Sequence, residues 1–299
     1  MKYINTDKLE QIKFEKENFY IVADFDKTIT SLESCDSWDA SGKRLGDEFQ
    51  KEVNRLYEMY RPIEVSYKLP IEEKKQAMKT WYEECMELYY QYHLTKEKLS
   101  NSIKESNLQF REGAKELLEQ ANKNDIPVII LSAGIGNVIE QFLKENKCYF
   151  ENMYIISNFI EFDAEGNMKK FDNNKIIHTL NKTMEHHLPA QWEEKLQKKK
   201  YALLFGDLIE DLNMISTKQK ENAITVGFLE KNVKENLDRY RQNFDVVLTR
   251  KRCYIYNNNK IVFLILIRKS FIQITNNIVC IIRSNMNKNI FINANPHIE

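Results

Sequence analysis

Short apolar runs that alternate with amphipathic helical patterns are the feature that most constrains the fold of this chain. Five of these runs are predicted to be buried strands, namely residues 20–25, 126–132, 201–207, 223–229 and 244–248. The segments between them, such as 113–124 and 136–147, carry apolar residues at spacings of three and four, a period typical of amphipathic helices. Strands and helices that alternate in this way favour a doubly wound α/β fold with a mostly parallel sheet.

One long segment interrupts this alternation. From about residue 33 to residue 105 the chain is rich in Glu, Lys, Tyr, Leu and Met, and its periodicity suits amphipathic helices rather than strands. We therefore expect a helical cap domain over residues 33–105, inserted directly after the first core strand. The core domain would be discontinuous and formed by residues 1–32 and 106–250.

Two further segments depart from the pattern. Residues 153–171 alternate apolar and polar side chains about an Ala-Glu-Gly-Asn turn and predict a β-hairpin. The Asn- and Ile-rich tail, residues 251–299, has IVFLILI as its longest apolar run, far shorter than the ~20 residues of a membrane helix. Three alternatives stay open for this tail: one or two added strands, a poorly ordered extension, or translated AT-rich non-coding sequence.

The charge balance and the cysteine spacing narrow the class of protein. Lys plus Arg and Asp plus Glu each total 44, so no long-range field would attract nucleic acid or an anionic membrane, and neither is expected as a partner. The five cysteines show no C-x-x-C spacing, which argues against a disulfide framework and a zinc site and indicates a reducing compartment. The amino terminus lacks the pattern of a secretory signal, so we expect a cytoplasmic protein.

Carboxylates follow two of the predicted strands. Asp24 and Asp26 end the first strand, and Asp207 and Asp211 follow the third. Ligands of open parallel sheets bind beyond the carboxyl ends of the strands, so these side chains are expected to lie close together. Such a cluster would repel itself without a cation, and an oxygen-only ligand set favours Mg²⁺.

Donor groups at the same edge predict a phosphate cradle. Ser132 offers a hydroxyl, the segment 133–134 offers backbone N–H groups near a helix amino terminus, and Lys182 offers a full positive charge. Phosphate monoesters hydrolyse so slowly in water that enzymes supply accelerations of up to ~10²¹. A nucleophile, an acid, a metal, a lysine and a hydroxyl are therefore expected together.

The order of these motifs resembles a known superfamily. DFDKT, a serine that closes a strand, a lysine and GDLIED follow one another as in the haloacid dehalogenase-type phosphatases. More narrowly, SAGIGNVIEQ, ISNFIEFDAEGNMKKF and IIHTLNK are similar to the cytosolic pyrimidine 5'-nucleotidase family, also called cytosolic 5'-nucleotidase III, over about residues 15–249. The resemblance implies a Rossmann-like core with a helical cap. It also implies Mg²⁺-dependent hydrolysis of nucleoside 5'-monophosphates, with UMP and CMP favoured, and some phosphotransferase activity.

The resemblance further implies the roles of the catalytic and metal-binding residues. Asp24 would be the nucleophile that forms an aspartyl-phosphate, and Asp26 would protonate the leaving ribose oxygen and then activate water. Asp24, the backbone carbonyl of Asp26 and Asp207 would hold Mg²⁺. Asp211 would support the water shell of the metal or orient Lys182.

The implied substrate contacts come from both domains. Ser132, the N–H of Ala133 and Lys182 would hold the phosphoryl oxygens, and Glu64 of the cap would contact the nucleotide base. Cys85 stands where members of the family usually carry a serine that touches the substrate. This departure leaves the base preference open between pyrimidines and methylated guanosine monophosphate.

Two rival functions remain beside a monomeric nucleotidase. One is a phosphatase for another small metabolite such as phosphoserine, because that enzyme shares the catalytic motifs and the position of the cap. The other is a catalytically inert family member that only binds its ligand, since fold and motif alone do not prove turnover.

Overall fold

A seven-stranded sheet organises the computed structural model of the chain, which describes residues 2–4, 8, 17–66, 68–185 and 187–249. In chain order the strands are β1 (Lys2–Ile4), β2 (Phe19–Ala23), β3 (Val128–Ile135), β4 (Met153–Asn158), β5 (Tyr201–Gly206), β6 (Ala223–Leu229) and β7 (Val246–Thr249). Their order across the sheet is β1-β7-β6-β5-β2-β3-β4, with β1 antiparallel at one edge and the other six parallel. The predicted α/β class is confirmed, and the tail over 251–299 lies outside the described residues.

The five predicted strands all occur, as β2, β3, β5, β6 and β7. The hairpin prediction is wrong in its first half, because Met153–Asn158 forms the parallel edge strand β4 beside β3. The antiparallel part of that segment is reduced to a single bridge between Phe162 and Met168. Two of the six positions of β4 are half-buried, so its apolar and polar residues alternate as in a hairpin strand, although β4 completes the core sheet.

Helices cover both faces of the sheet. They are α1 (Ser37–Gly42), α2 (Asp47–Glu64), α3 (Ile71–Gln91), α4 (Lys96–Lys104), α5 (Ala114–Lys123), α6 (Gly136–Glu145), α7 (Ala190–Gln197), α8 (Thr217–Glu221) and α9 (Val233–Asn243). Successive side chains of a strand point to opposite faces. Accordingly Phe19 and Ile21 pack in one apolar cluster with α5 and α6, while Tyr20 and Val22 pack in a second cluster with α7 and α9.

Helices α1 to α4 lie between β2 and α5 in the chain and form a third apolar cluster. Phe49, Leu56 and Tyr60 share the buried face of α2, as expected for positions seven and four residues apart. Ile135 and Val138 of the core belong to the same cluster, so the helical insertion packs on the strand end that carries Ser132. The boundaries 33 and 105 of the cap domain stay a prediction.

Within the described ranges, no helix has the length and apolar character required to cross a bilayer. Cys35, Cys85 and Cys148, the cysteines inside those ranges, are free thiols.

Candidate active site

The turn after β2 sets the direction of the first two carboxylates. The N–H of Asp24 donates to the carbonyl of Phe205 at 3.0 Å, which keeps Asp24 in the sheet register. Lys27 then adopts the left-handed region at φ 60°, so the chain reverses within Phe25–Ile29. Arg111 stabilises this reversal, because Nε donates to the carbonyl of Thr28 at 2.9 Å and Nη2 donates to the carbonyl of Lys27.

Lys182 joins the ends of two neighbouring strands. Its Nζ donates to Oδ1 of Asp24 after β2 and, at 2.7 Å, to Oδ1 of Asp211 after β5. All three side chains are buried, with Lys182 at 5% exposure. Burial opposes the charge on Lys182, but Asp211 and Asp24 outweigh it and raise its pKa above the ordinary value, so the ammonium stays protonated.

Three carboxylates converge beside that ammonium. Oxygens of Asp24, Asp207 and Asp211 all lie within 4.8 Å of one another. Burial, followed by the charges of Asp24 and Asp211, raises the pKa of Asp207 well above its usual value. One lysine cannot compensate three carboxylates, of which Asp24 and Asp211 are buried and Asp207 is half-buried. Oxygen ligands are those that Mg²⁺ prefers, so this donor set fits a hard divalent cation.

The carboxylate of Asp26 has different partners. Oδ1 accepts from the N–H of Ser37 at 2.9 Å, and Oδ2 accepts from the hydroxyl of Ser37 at 2.6 Å. Ser37 opens α1 and also accepts at 3.2 Å from the N–H of Ile135. A methyl group at Gly134 would lie 1.8 Å from Oγ of Ser37 and 2.9 Å from Oδ2 of Asp26, so the close approach of these segments requires glycine.

The two carboxylates at the end of β2 differ in their protonation. Burial raises the pKa of Asp24 to about 6, although Lys182 acts in the opposite direction. Burial, followed by the charges of Asp36 and Asp24, raises the pKa of Asp26 to about 8. The pKa of Asp26 therefore lies above that of Asp24, which is the order that a general acid and a nucleophile require.

The segment that carries Ser132 is part of a strand rather than a loop. Strand β3 continues to Ile135, with an irregular register between Leu131 and Ile135. The N–H of Gly134 donates to Oγ of Ser132 at 3.0 Å, and the hydroxyl of Ser132 can still donate its own proton. Asn158 anchors this segment, because its Nδ2 donates to the carbonyl of Ala133 at 2.9 Å.

Asn158 also fixes the approach to Lys182. Its Nδ2 donates to the carbonyl of Ile177 at 2.8 Å, and its Oδ1 accepts from the N–H of Ile177 at 2.8 Å. Asn158 is only 1% exposed, so it links the Ser132 and Lys182 segments from within the core.

The cap places Glu64 opposite the segment that leads to Lys182. Oε1 of Glu64 accepts from the hydroxyl of Thr179 at 3.1 Å, and Oε2 accepts from Nη1 of Arg61. Cys85 is half-buried on α3, and burial followed by the charge of Glu84 raises its pKa to about 12, so its thiol is neutral.

The structure thus brings Asp24, Asp207, Asp211 and Lys182 together in direct contact or within ligand distance, and places Asp26 next to Gly134. Glu64 and Cys85 lie on the cap side. Sequence reasoning missed the residues that hold the site, namely Ser37, Arg61, Arg111, Asn158 and Thr179. Two of them had a signal: Asn158 lies in the ISNF segment at the end of an apolar run, and Arg61 precedes Glu64 by three residues on a predicted helix.

Comparisons with known proteins agree with this geometry. The model of the family described as Pyrimidine 5'-nucleotidase (UMPH-1) matches residues 23–266. A human 7-methylguanosine phosphate-specific 5'-nucleotidase is 31% identical over 241 residues, covering 78% of this chain and 80% of that protein. The 7-methylguanosine phosphate-specific 5'-nucleotidase A of Xenopus laevis is 30% identical over 255 residues, covering 82% and 87%.

Solved structures show the same fold. The crystal structure of cytosolic 5'-nucleotidase IIIB bound to cytidine superposes with a TM-score of 0.73 at 26% identity, covering 88% of this chain and 90% of that one. The unliganded structure of a probable phosphoserine phosphatase from Vibrio cholerae has a TM-score of 0.51 at 15% identity, covering 87% and 68%, and shows likeness of fold alone.

Proposed function

The chain belongs to the pyrimidine 5'-nucleotidase (UMPH-1) family and is a 5'-nucleotidase, and on that premise we propose how it acts and on what. Its substrates are pyrimidine nucleoside 5'-monophosphates such as UMP and CMP, which it hydrolyses to nucleoside and phosphate. Asp24 is the nucleophile, and Mg²⁺ is the cofactor. The location is cytoplasmic, in keeping with the name of the cytosolic relative and with scattered free thiols.

A single observation carries the proposed mechanism: one buried ammonium, that of Lys182, contacts both Asp24 and Asp211 while Asp207 lies within 4.8 Å. Three carboxylates around one ammonium are costly unless a cation compensates their charge. Mg²⁺ would supply that positive charge, and together with Lys182 it would attract the anionic phosphate monoester. The lysine contact orients one oxygen of Asp24, while its other oxygen is available to attack.

The donor set indicates which residues hold the metal. Asp24, Asp207 and the backbone carbonyl of Asp26 would be its ligands, with Asp211 supporting its water shell or orienting Lys182. When bound, Mg²⁺ neutralises the carboxylates and polarises the phosphoryl group. The raised pKa of Asp207 supports this assignment, because burial and neighbouring carboxylates favour a cation there.

The protein residues act in two steps. A carboxylate oxygen of Asp24 forms a bond to phosphorus while the bond to the ribose O5' breaks, and Asp26 gives its proton to the departing oxygen. Asp26 then accepts a proton from water as that water attacks phosphorus, which releases phosphate and restores the carboxylate of Asp24. Ser37 holds Asp26 in place during both steps, and Lys182, Ser132 and the N–H of Ala133 bind the phosphoryl oxygens.

The base is recognised from the cap. Glu64 contacts the base, and Cys85 lies on the same helical insertion in the position that the family uses for a substrate contact. Curated relatives near 30% identity are named for 7-methylguanosine phosphate, whereas the superposed structure holds cytidine. Hydrolysis of CMP and of 7-methyl-GMP by the same protein therefore tests the pyrimidine preference.

A panel of phosphate monoesters tests the proposal. Phosphate release is measured from UMP, CMP, GMP, 7-methyl-GMP and phosphoserine, with Mg²⁺ and with a chelator in its place. We expect UMP and CMP to be hydrolysed with the highest kcat/KM, and the chelator to abolish turnover. A preference for phosphoserine would favour the metabolite phosphatase, and no release from any monoester would favour an inert binding protein.

A further inference from the structure

The guanidinium of Arg61 forms an ion pair with Glu64, one helical turn later on α2. Nη1 of Arg61 donates to Oε2 of Glu64, while the hydroxyl of Thr179 donates to Oε1 at 3.1 Å. Both carboxylate oxygens of Glu64 therefore have a donor. The side chain of Glu64 is 11% exposed and that of Arg61 is 43% exposed, so the carboxylate is shielded while the side chain of Arg61 reaches the surface of the cap.

A hydrogen bond from Thr179 links Glu64 to the segment that carries Lys182. Thr179 precedes Lys182 by three residues, and Lys182 contacts Asp24. Tyr82 of α3 packs edge-on against His178, the residue before Thr179, with the ring centroids 6.2 Å apart. Glu64 therefore lies where the cap meets the segment that leads to Lys182.

We propose that Arg61 is a specificity-determining residue: by neutralising Glu64, it disfavours bases with a fixed positive charge, such as 7-methylguanine, and favours uncharged bases such as cytosine and uracil. This inference rests on the proposed function, in which Glu64 contacts the base.

The physical reason is electrostatic. Methylation at N7 leaves guanine with a positive charge on its five-membered ring, and a shielded carboxylate without a partner would attract that charge strongly. Arg61 already supplies the compensating charge, so a cationic base gains little from Glu64 and is repelled by the guanidinium. An uncharged base needs only hydrogen bonds, which a paired carboxylate can still accept.

The same helix offers a matched control. Arg55 and Glu52 form an ion pair of the same spacing at 2.8 Å, but Glu52 is 42% exposed instead of 11%. Removing the charge of Arg55 changes the helix surface in the same way without touching Glu64.

The test compares kcat/KM for 7-methyl-GMP with kcat/KM for CMP, while GMP reports any change in the size of the pocket. Arg61→Gln is expected to raise the ratio of 7-methyl-GMP to CMP about tenfold, mainly through KM. Arg61→Lys and Arg55→Gln keep the wild-type ratio. Glu64→Gln leaves the guanidinium unpaired and is expected to lower the ratio, opposite to Arg61→Gln.

A charge effect changes this ratio in opposite directions in Arg61→Gln and Glu64→Gln. A purely structural effect would change it in the same direction in both variants. An unchanged or lowered ratio in Arg61→Gln overturns the inference. If that variant does not fold, a raised or unchanged ratio in Glu64→Gln overturns it instead. Failure of the wild-type chain to release phosphate from any nucleotide would refute the proposed function itself, and that outcome is distinguishable from an unmoved ratio in an active enzyme.

Discussion

Nζ of Lys182 lies 2.7 Å from Oδ1 of Asp211 and also donates to Oδ1 of Asp24. The two carboxylates follow β5 and β2, which are neighbours in the sheet, so one buried ammonium holds the acidic ends of adjacent strands together. This contact balances part of the negative charge that Asp207 adds to the cluster.

Replacing Lys182 by methionine separates its two roles. Without the ammonium, the phosphoryl group loses a charged donor, and we expect kcat/KM to fall by about 10² to 10³. The carboxylate cluster becomes more negative, so Mg²⁺ should bind more tightly than in the wild type. Steady-state kinetics and calorimetric titration with Mg²⁺ measure the two effects. The exposed Lys175, changed to methionine, is the control; wild-type kcat/KM in Lys182→Met would contradict the assignment.

Ser37 is expected to act through Asp26. Ser37→Ala removes the hydroxyl that donates to Oδ2 of Asp26 at 2.6 Å, and kcat for CMP should fall about 10- to 100-fold with little change in KM. The loss should be smaller for p-nitrophenyl phosphate, whose leaving group needs no proton. Ser41 lies on the same helix as Ser37 and forms hydrogen bonds to the hydroxyl of Tyr89 and the carbonyl of Trp38. Ser41→Ala should therefore change stability but not the difference between the two substrates. Equal losses for both substrates would refute the positioning role of Ser37.

Asn158 should matter for both stability and activity. Asn158→Ala leaves the carbonyls of Ala133 and Ile177 without their amide donor, at an expected cost of at least ~2 kcal/mol in the free energy of unfolding. Because the Ser132 and Lys182 segments lose their common anchor, kcat/KM should fall as well. Asn152→Ala removes one buried bond, to Ile126, far from the site in the fold. Urea unfolding and kinetics should show that Asn152→Ala loses stability alone, and intact activity in Asn158→Ala would contradict this account.

The buried His178 should make the stability of the fold depend on pH. Burial, followed by the charges of Lys75 and Lys79, lowers the pKa of His178 to about 4, and its Nδ1 accepts from the N–H of Leu180 at 3.1 Å. In the unfolded state the imidazole binds a proton near pH 6.5, whereas in the folded state it stays neutral until about pH 4. The stability that the neutral His178 contributes is therefore complete above pH 6.5 and is lost as the pH falls towards 4. Between pH 7 and pH 5 the wild type should lose about 2 kcal/mol more than His178→Gln in urea unfolding. Equal losses would show that His178 is not responsible.

The convergence of Asp24, Asp207 and Asp211 could be predicted because parallel strands end at one edge of a sheet. Lys182 follows no strand directly, and only its place after IIHTLN singled it out among the lysines. The i,i+3 spacing of Arg61 and Glu64 on a predicted helix also allows an ion pair. The contacts of Ser37 and Thr179 could not be predicted in this way. They depend on how the cap packs against the core, which periodicity does not specify.

Local irregularity limited the rest of the prediction. The predicted strand ends at Ser132, but β3 continues through an irregular register to Ile135. Strand β4 was read as half of a hairpin, because an edge strand with one partly exposed face alternates much as hairpin strands do.

The central claim is that a carboxylate oxygen of Asp24 takes the phosphoryl group. Acid quenching during turnover of CMP, followed by borohydride reduction and peptide mass spectrometry, locates an acyl phosphate directly, since reduction converts the phosphorylated aspartate to homoserine. The account predicts homoserine at position 24 in the wild type, and neither homoserine nor turnover in Asp24→Asn. Turnover that persists in Asp24→Asn, or label at another aspartate, would contradict it.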